Sequence, residues 1–182
     1  MKLTYVPRTS RLAVFVLLAC AGGAAPAQDT LPSDSQIAAI VVSANQADID
    51  AGRLAESKAQ KKDVRTFAQR MVSDHTSVNA AAVALVHKLG VVPQDNPVSE
   101  SLKQGGETNV DHLKTLQGAQ FDRAYIDHEV VYHEQVIDAL DKTLIPGAKN
   151  AELKALLVKV RPAFVAHLDH AKSVQAALGA AQ

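Results

Sequence analysis

Apolar residues recur at intervals of three and four through four long stretches of this 182-residue chain, and most of those stretches end in glycine or proline. That period puts the apolar side chains on one helical face, so the chain is constrained to amphipathic helices that bury their stripes against one another. Ile37, Ile40, Val41, Ala44, Ala47, Ala51, Leu54 and Ala55 form the first stripe, over Asp34 to Ala59, with Ser33 or Asp34 as its cap. Val64, Phe67, Ala68, Met71, Val78, Leu85 and Leu89 form the second, from about Asp63 to a stop at Gly90 and Pro93. The link Gln60-Lys61-Lys62 is so short that the two helices are expected to form an antiparallel hairpin.

Residues 90–117 read differently. Pro93, Pro97 and Gly105-Gly106 interrupt a weak helical pattern, which predicts a long crossover and not another bundle helix. A third helix is expected from about Gln120 to Thr143, with Phe121, Tyr125, Ile126, Val130, Ile137 and Leu140 inward and a stop at Pro146-Gly147. A fourth runs from about Asn150 to Leu178 on Leu153, Leu156, Leu157, Val160, Phe164, Leu168, Ala171 and Val174, with Pro162 expected to kink or split it. No strand alternation or internal repeat competes. The plan is all-α: two antiparallel hairpins joined by a long crossover, a ferritin-like four-helix bundle, although the same elements suit other bundles.

The first 27 residues are set apart. Lys2, Arg8 and Arg11 precede an apolar run from Leu12 to Ala21 and a small-residue segment ending in Ala25-Pro26-Ala27, the three-part plan of a secretory signal peptide. The apolar run is half the length a spanning helix needs. Cleavage after Ala27 leaves a ferritin-like domain over 28–182. The alternative, a lipoprotein signal over 1–19, rests on Leu17-Leu18-Ala19-Cys20 and would place a lipid on Cys20, the chain's one cysteine. A periplasmic location follows as the expectation, outer-membrane associated in the lipid-anchored variant. Three of the 19 basic residues lie in the leader, so the remainder carries 16 against 19 acidic groups, and no nucleic-acid partner is expected.

Five polar residues fall where apolar ones belong. Asp48 lies four after Ala44 and three before Ala51; His75 lies four after Met71 and three before Val78, with Asp74 beside it. Glu129 and His133 are one turn apart and share a face, and His167 lies three after Phe164 and four before Ala171. Each helix thus turns an acid or an imidazole toward the axis, where an unpartnered charge is costly. Asp48 is 13 residues before Lys61 and His75 is 14 after it, so the first hairpin sets them level. His133 is 13 before Pro146 and His167 is 21 after, a mismatch of about 12 Å of helix rise. Not all five are therefore expected on one ion.

The stretches Ala44 to Gly52, Val64 to His75, Gly118 to Tyr125 and Arg161 to Leu168, together with His133, resemble domain-of-unknown-function family 4142, secreted ferritin-like proteins often labelled predicted outer-membrane proteins. The Phe67-Ala68-x-x-Met71-Val72-x-Asp74-His75 and Phe121-Asp122-x-x-Tyr125 runs are the most specific parts, and the family usually carries Glu where this chain has Asp48. The resemblance covers nearly the whole of 28–182. It implies a bundle fold, an envelope location and a metal site, and no reaction.

A ferritin-type di-iron oxidase needs paired Glu-x-x-His motifs, and the chain has none. Neutral imidazole and carboxylate donors suit zinc, iron or copper held by Asp48, His75, Glu129, His133 and His167. A hydrogen-bonded polar layer that fixes helix register accounts for the same five residues, and pH sensing draws on all seven histidines. His87, His112 and His170 are expected at the surface, and Lys58, Lys61, Lys62 and Arg65 as a solvated cap on the first turn. No glycine-rich phosphate loop or nucleophile elbow is present. The leading expectation is a non-enzymatic envelope or stress-response module binding a partner or metal; the alternative is a metal-dependent redox protein using the core site.

Overall fold

The computed structural model describes residues 31–180. The expected leader, with Cys20 and both cleavage sites, lies outside the described residues. Among them the chain is all-α, without a strand: α1 (Asp34–Lys58), α2 (Lys62–Leu89), α3 (Pro97–Thr115), α4 (Gly118–Ala139), a π-helical turn (Leu140–Leu144), the short α5 (Ile145–Gly147) and α6 (Ala151–Ala180). The helices α1, α2, α4 and α6 form the bundle, with α1 on α2, α4 on α6, and α2 also packed on α6.

Local chemistry starts and stops these helices. Ser33 caps α1 in a capping box with Gln36, accepting from the Gln36 N–H while the Gln36 side chain accepts from the Ser33 N–H. Asp34 does something else: its carboxylate accepts from the N–H groups of Lys149 and Asn150, at 2.9 and 3.0 Å, tying the start of α1 to the α5–α6 turn. Gly90 ends α2 in the left-handed region at φ 63°, which only glycine adopts cheaply. The first hairpin turn is closed by Asp122, fully buried at the start of α4, which accepts from Gln60 N–H (3.0 Å) and Lys61 N–H (2.8 Å). Arg65 donates to the carbonyls of Ala59 and Gln60, and Lys58 to that of Leu113, so two of the four basic residues at this turn cap backbone.

Three expectations are corrected. The crossover contains a continuous helix, α3, which lies along α1. Pro97 starts it: Asn96 is the N-cap, and a proline at the first helical position loses no bond. Gly105-Gly106 does not break it, because Gly106 lies against α1, where a Cβ would come within 2.9 Å of Ala47 Cβ. The third bundle helix reaches the expected stop at Pro146-Gly147, but runs past Thr143 and not as one regular helix. It widens into the π-helical turn and continues to Gly147. Pro162 does not split α6; it is exposed on the outer side of an unbroken helix, where the carbonyl that loses its partner can meet water.

The core is in two parts. Phe67, Met71, Phe121, Tyr125, Ile126 and Ala171 cluster toward the first hairpin turn, and Ile37, Ile40, Leu140, Leu144, Leu157 and Phe164 toward the opposite end. Burying each of the larger side chains stabilises the fold by about 1.5–3 kcal/mol. Between the two apolar clusters lies a layer of polar side chains.

Candidate metal centre

That layer takes one or two residues from each bundle helix: Asn45 and Asp48 from α1, His75 from α2, Glu129 and His133 from α4, and His167 from α6, all at most 3% exposed. The helical period of each stripe turns them inward, and the antiparallel hairpins set them at one level. The predicted mismatch between His133 and His167 does not occur, for their ring centroids are 5.4 Å apart. The second hairpin turns at Ala148–Asn150 and not at Pro146, so Lys149 stands 16 residues from His133 and 18 from His167. The His75 ring is 5.7 Å from His133 and 5.2 Å from His167, so the three imidazoles form a triangle.

Each imidazole has one nitrogen committed. Asn45 donates its amide to the Val41 carbonyl (2.8 Å), which turns its Oδ1 toward His75 Nδ1 at 2.7 Å, so that nitrogen carries the proton. His133 Nδ1 lies 2.9 Å from the Glu129 carbonyl, an obligate acceptor. His167 Nε2 lies 2.9 Å from Asp74 Oδ2, and Asp74 in turn meets Arg70 at the solvent edge. With N–H groups on those three atoms, the lone pairs are left on His75 Nε2, His133 Nε2 and His167 Nδ1. All three are buried and without a partner.

One ligand atom from each of the three histidines lies within 4.8 Å of the others, and Asp48, Glu129 and His133 form a second such group. His133 belongs to both. His75 Nε2 is 3.5 Å from Asp48 Oδ2, and His133 Nδ1 is 3.5 Å from Glu129 Oε2. Asp48 Oδ1 and both Glu129 carboxylate oxygens are also buried without a partner. Ligand atoms of a tetrahedral ion bound at about 2.1 Å stand about 3.4 Å apart. The Asp48–His75 separation is therefore already that of two ligands on one ion.

The electrostatics favour neutral donors. Burial, reinforced by His133 and His167, holds His75 well below the ordinary imidazole value; burial brings His133 down to about 4 and lowers His167 as well. Burial pushes the Asp48 carboxyl up to about 7 and Glu129 well above its ordinary value, the latter helped by the Asp48 charge. Two carboxyls in one dry site hold a proton unless a cation replaces it.

All five sequence candidates thus meet in one layer. Two supporting residues were missed as site members, Asn45 and Asp74, which orient His75 and His167. Asp74 had a signal in its place beside His75. Asn45 had one too, three before Asp48 on an otherwise apolar stripe. His87 and His112 are exposed as expected, but His170 is half-buried with its ring 5.2 Å from Phe67. A family model described as a domain of unknown function (DUF4142) matches residues 19–174. No curated protein and no solved structure matches.

Proposed function

The chain belongs to the DUF4142 family of unknown function, and from that premise we propose that it is an exported, non-enzymatic module whose bundle core binds one transition-metal ion. His75 Nε2, His133 Nε2 and His167 Nδ1 are the ligands, with Asp48 beside them as the fourth. Zinc, copper and iron are the metals that neutral imidazole with one carboxylate suits. The observation that carries this reading is three buried imidazoles with one ligand nitrogen of each within 4.8 Å of the others, each ring having one nitrogen on an outer acceptor and the other unpartnered, the arrangement by which metal-binding histidines are oriented. A polar layer serving only helix register would satisfy its own hydrogen bonds; a proton shared by Asp48 and Glu129 can do so for the carboxyls, but His75 Nε2, His133 Nε2 and His167 Nδ1 are left buried without a partner. Export rests on the leader pattern of residues 1–27.

Elemental analysis of the mature protein, purified without chelators or a histidine tag, tests the assignment beside a His75→Ala/His167→Ala variant. Near-stoichiometric metal in the wild type, lost in the variant with helicity retained, is expected. Protein that stays metal-free after incubation with zinc, copper or iron(II) overturns it. A redox centre is the second reading, favoured by the Asp48–Glu129 pair, which sets an exchangeable proton beside the imidazoles. Oxygen or peroxide consumption that disappears in His75→Ala carries that reading.

A further inference from the structure

Ligands that are at most 3% exposed need a route for the ion. Two cavities reach the layer, and they differ in chemistry. One, of about 30 Å³, lies among Val78, Leu144, Val160 and Phe164 and touches Asp48 and His75. Apart from Asn45, Asp48 and His75 its lining is apolar, so a hydrated cation crossing it would shed water before reaching a replacement donor. The other, of about 250 Å³, opens between α1, α3 and α4 and is lined by Asp48, Asn109, His128, Tyr132 and Gln135. Of the residues around it Asp48 alone is fully buried, so Asp48 marks its inner end, and Asp48 Oδ1 has no partner.

His128 lines the same cleft, and its Nδ1 is also buried and unpartnered. Its ring stacks on Tyr132, with centroids 5.5 Å apart and planes at 17°. Tyr132 is held in turn by a 3.0 Å hydrogen bond from its hydroxyl to the Ala44 carbonyl, and its ring meets the His133 ring edge-on at 6.3 Å. Tyr132 therefore both lines the cleft and contacts one imidazole of the triangle.

We infer that the α1–α3–α4 cleft is the route by which a hydrated divalent cation reaches the centre, passing from His128 to Asp48 and then to the histidines. This rests on the metal-binding reading above, and it adds a route whose failure is separable from failure of the site. Gly105 lines the same cleft, and a Cβ there meets nothing within 4 Å, so a side chain can be introduced at the cleft without displacing backbone.

The test is cobalt(II) uptake by the metal-free full mature chain, followed by visible absorption in a stopped flow, with occupancy at equilibrium measured separately by dialysis. His128→Phe and Gly105→Phe are each expected to slow uptake about tenfold or more, a barrier increase of about 1.4 kcal/mol. Equilibrium occupancy and the final spectrum stay as in the wild type. Val160→Leu, which narrows the apolar cavity by one methylene, is expected to leave the rate unchanged. Full occupancy reached at wild-type rate in both cleft variants, or slowing confined to Val160→Leu, overturns the route while leaving the site standing. A wild type that takes up no cobalt at equilibrium overturns both.

Discussion

His75 Nε2 and Asp48 Oδ2 face one another across 3.5 Å of buried space, and the proton of His75 is on its other nitrogen, donated to Asn45. Two acceptors at that distance repel unless a proton or a cation lies between them. Asp48→Asn supplies a donor without changing shape, so the metal-free protein is expected to gain about 1 kcal/mol, near 3 °C in Tm. Metal affinity is expected to fall at least about tenfold in the same variant. Opposite signs in differential scanning calorimetry and in a metal-competition titration mark a ligand; a loss in both marks a structural hydrogen bond.

The pH dependence of metal-free stability has two limbs. His75, His133 and His167 are held below their ordinary value, so the unfolded chain takes up their protons first as pH falls through about 6.5. Their contribution is complete above that pH and is lost as pH falls, for His133 through about 4. Asp48 and Glu129 are held above theirs, so the folded chain keeps protons that the unfolded one has released. Their contribution is complete below the ordinary carboxyl range and is lost as pH rises, for Asp48 through about 7. On the acid side the imidazoles and the carboxyls oppose one another, and on the alkaline side only the carboxyls act. Tm measured by circular dichroism after chelator treatment is expected to decline as pH rises through about 7, with Asp48→Asn flattening that decline.

Asp122 is a structural counterpart to Asp48, buried but fully satisfied by two backbone donors of the first hairpin turn. Asp122→Ala leaves the Gln60 and Lys61 N–H groups without their acceptor and is expected to cost about 2–3 kcal/mol. Urea unfolding should show a lower midpoint at unchanged m, and the variant should still bind metal.

Adjacent glycines on α3 separate helix propensity from packing. At Gly105 a Cβ meets nothing within 4 Å, so Gly105→Ala is expected to stabilise by about 0.5–1 kcal/mol. At Gly106 the Cβ comes within 2.9 Å of Ala47 Cβ, so Gly106→Ala pushes α3 away from α1 and is expected to destabilise despite the same propensity gain. Equal stabilisation by both in chemical unfolding would remove the close α1–α3 approach.

Periodicity alone determined the four bundle helices, their inward faces and the five polar residues on those faces. Side-chain direction repeats every 3.6 residues whatever the helix packs against, so Asp48, His75, Glu129, His133 and His167 could be placed inward without a partner in view. Ser33 and Gly90 acted as start and stop signals for the same reason, since capping is chemistry within one turn. Only the tertiary structure decided which of the five residues meet. The level of His133 against His167 depends on a turn at Ala148–Asn150, fixed by Asp34 from 115 residues away, and on a π-helical turn that no propensity marks. The helix through Gly105-Gly106 likewise needs Ala47 opposite it, and the tautomer of His75 needs Asn45 thirty residues earlier. Local periodicity sets a residue's face; the free nitrogen of each imidazole is set by a hydrogen-bond acceptor, and for His75 and His167 that acceptor lies on another helix.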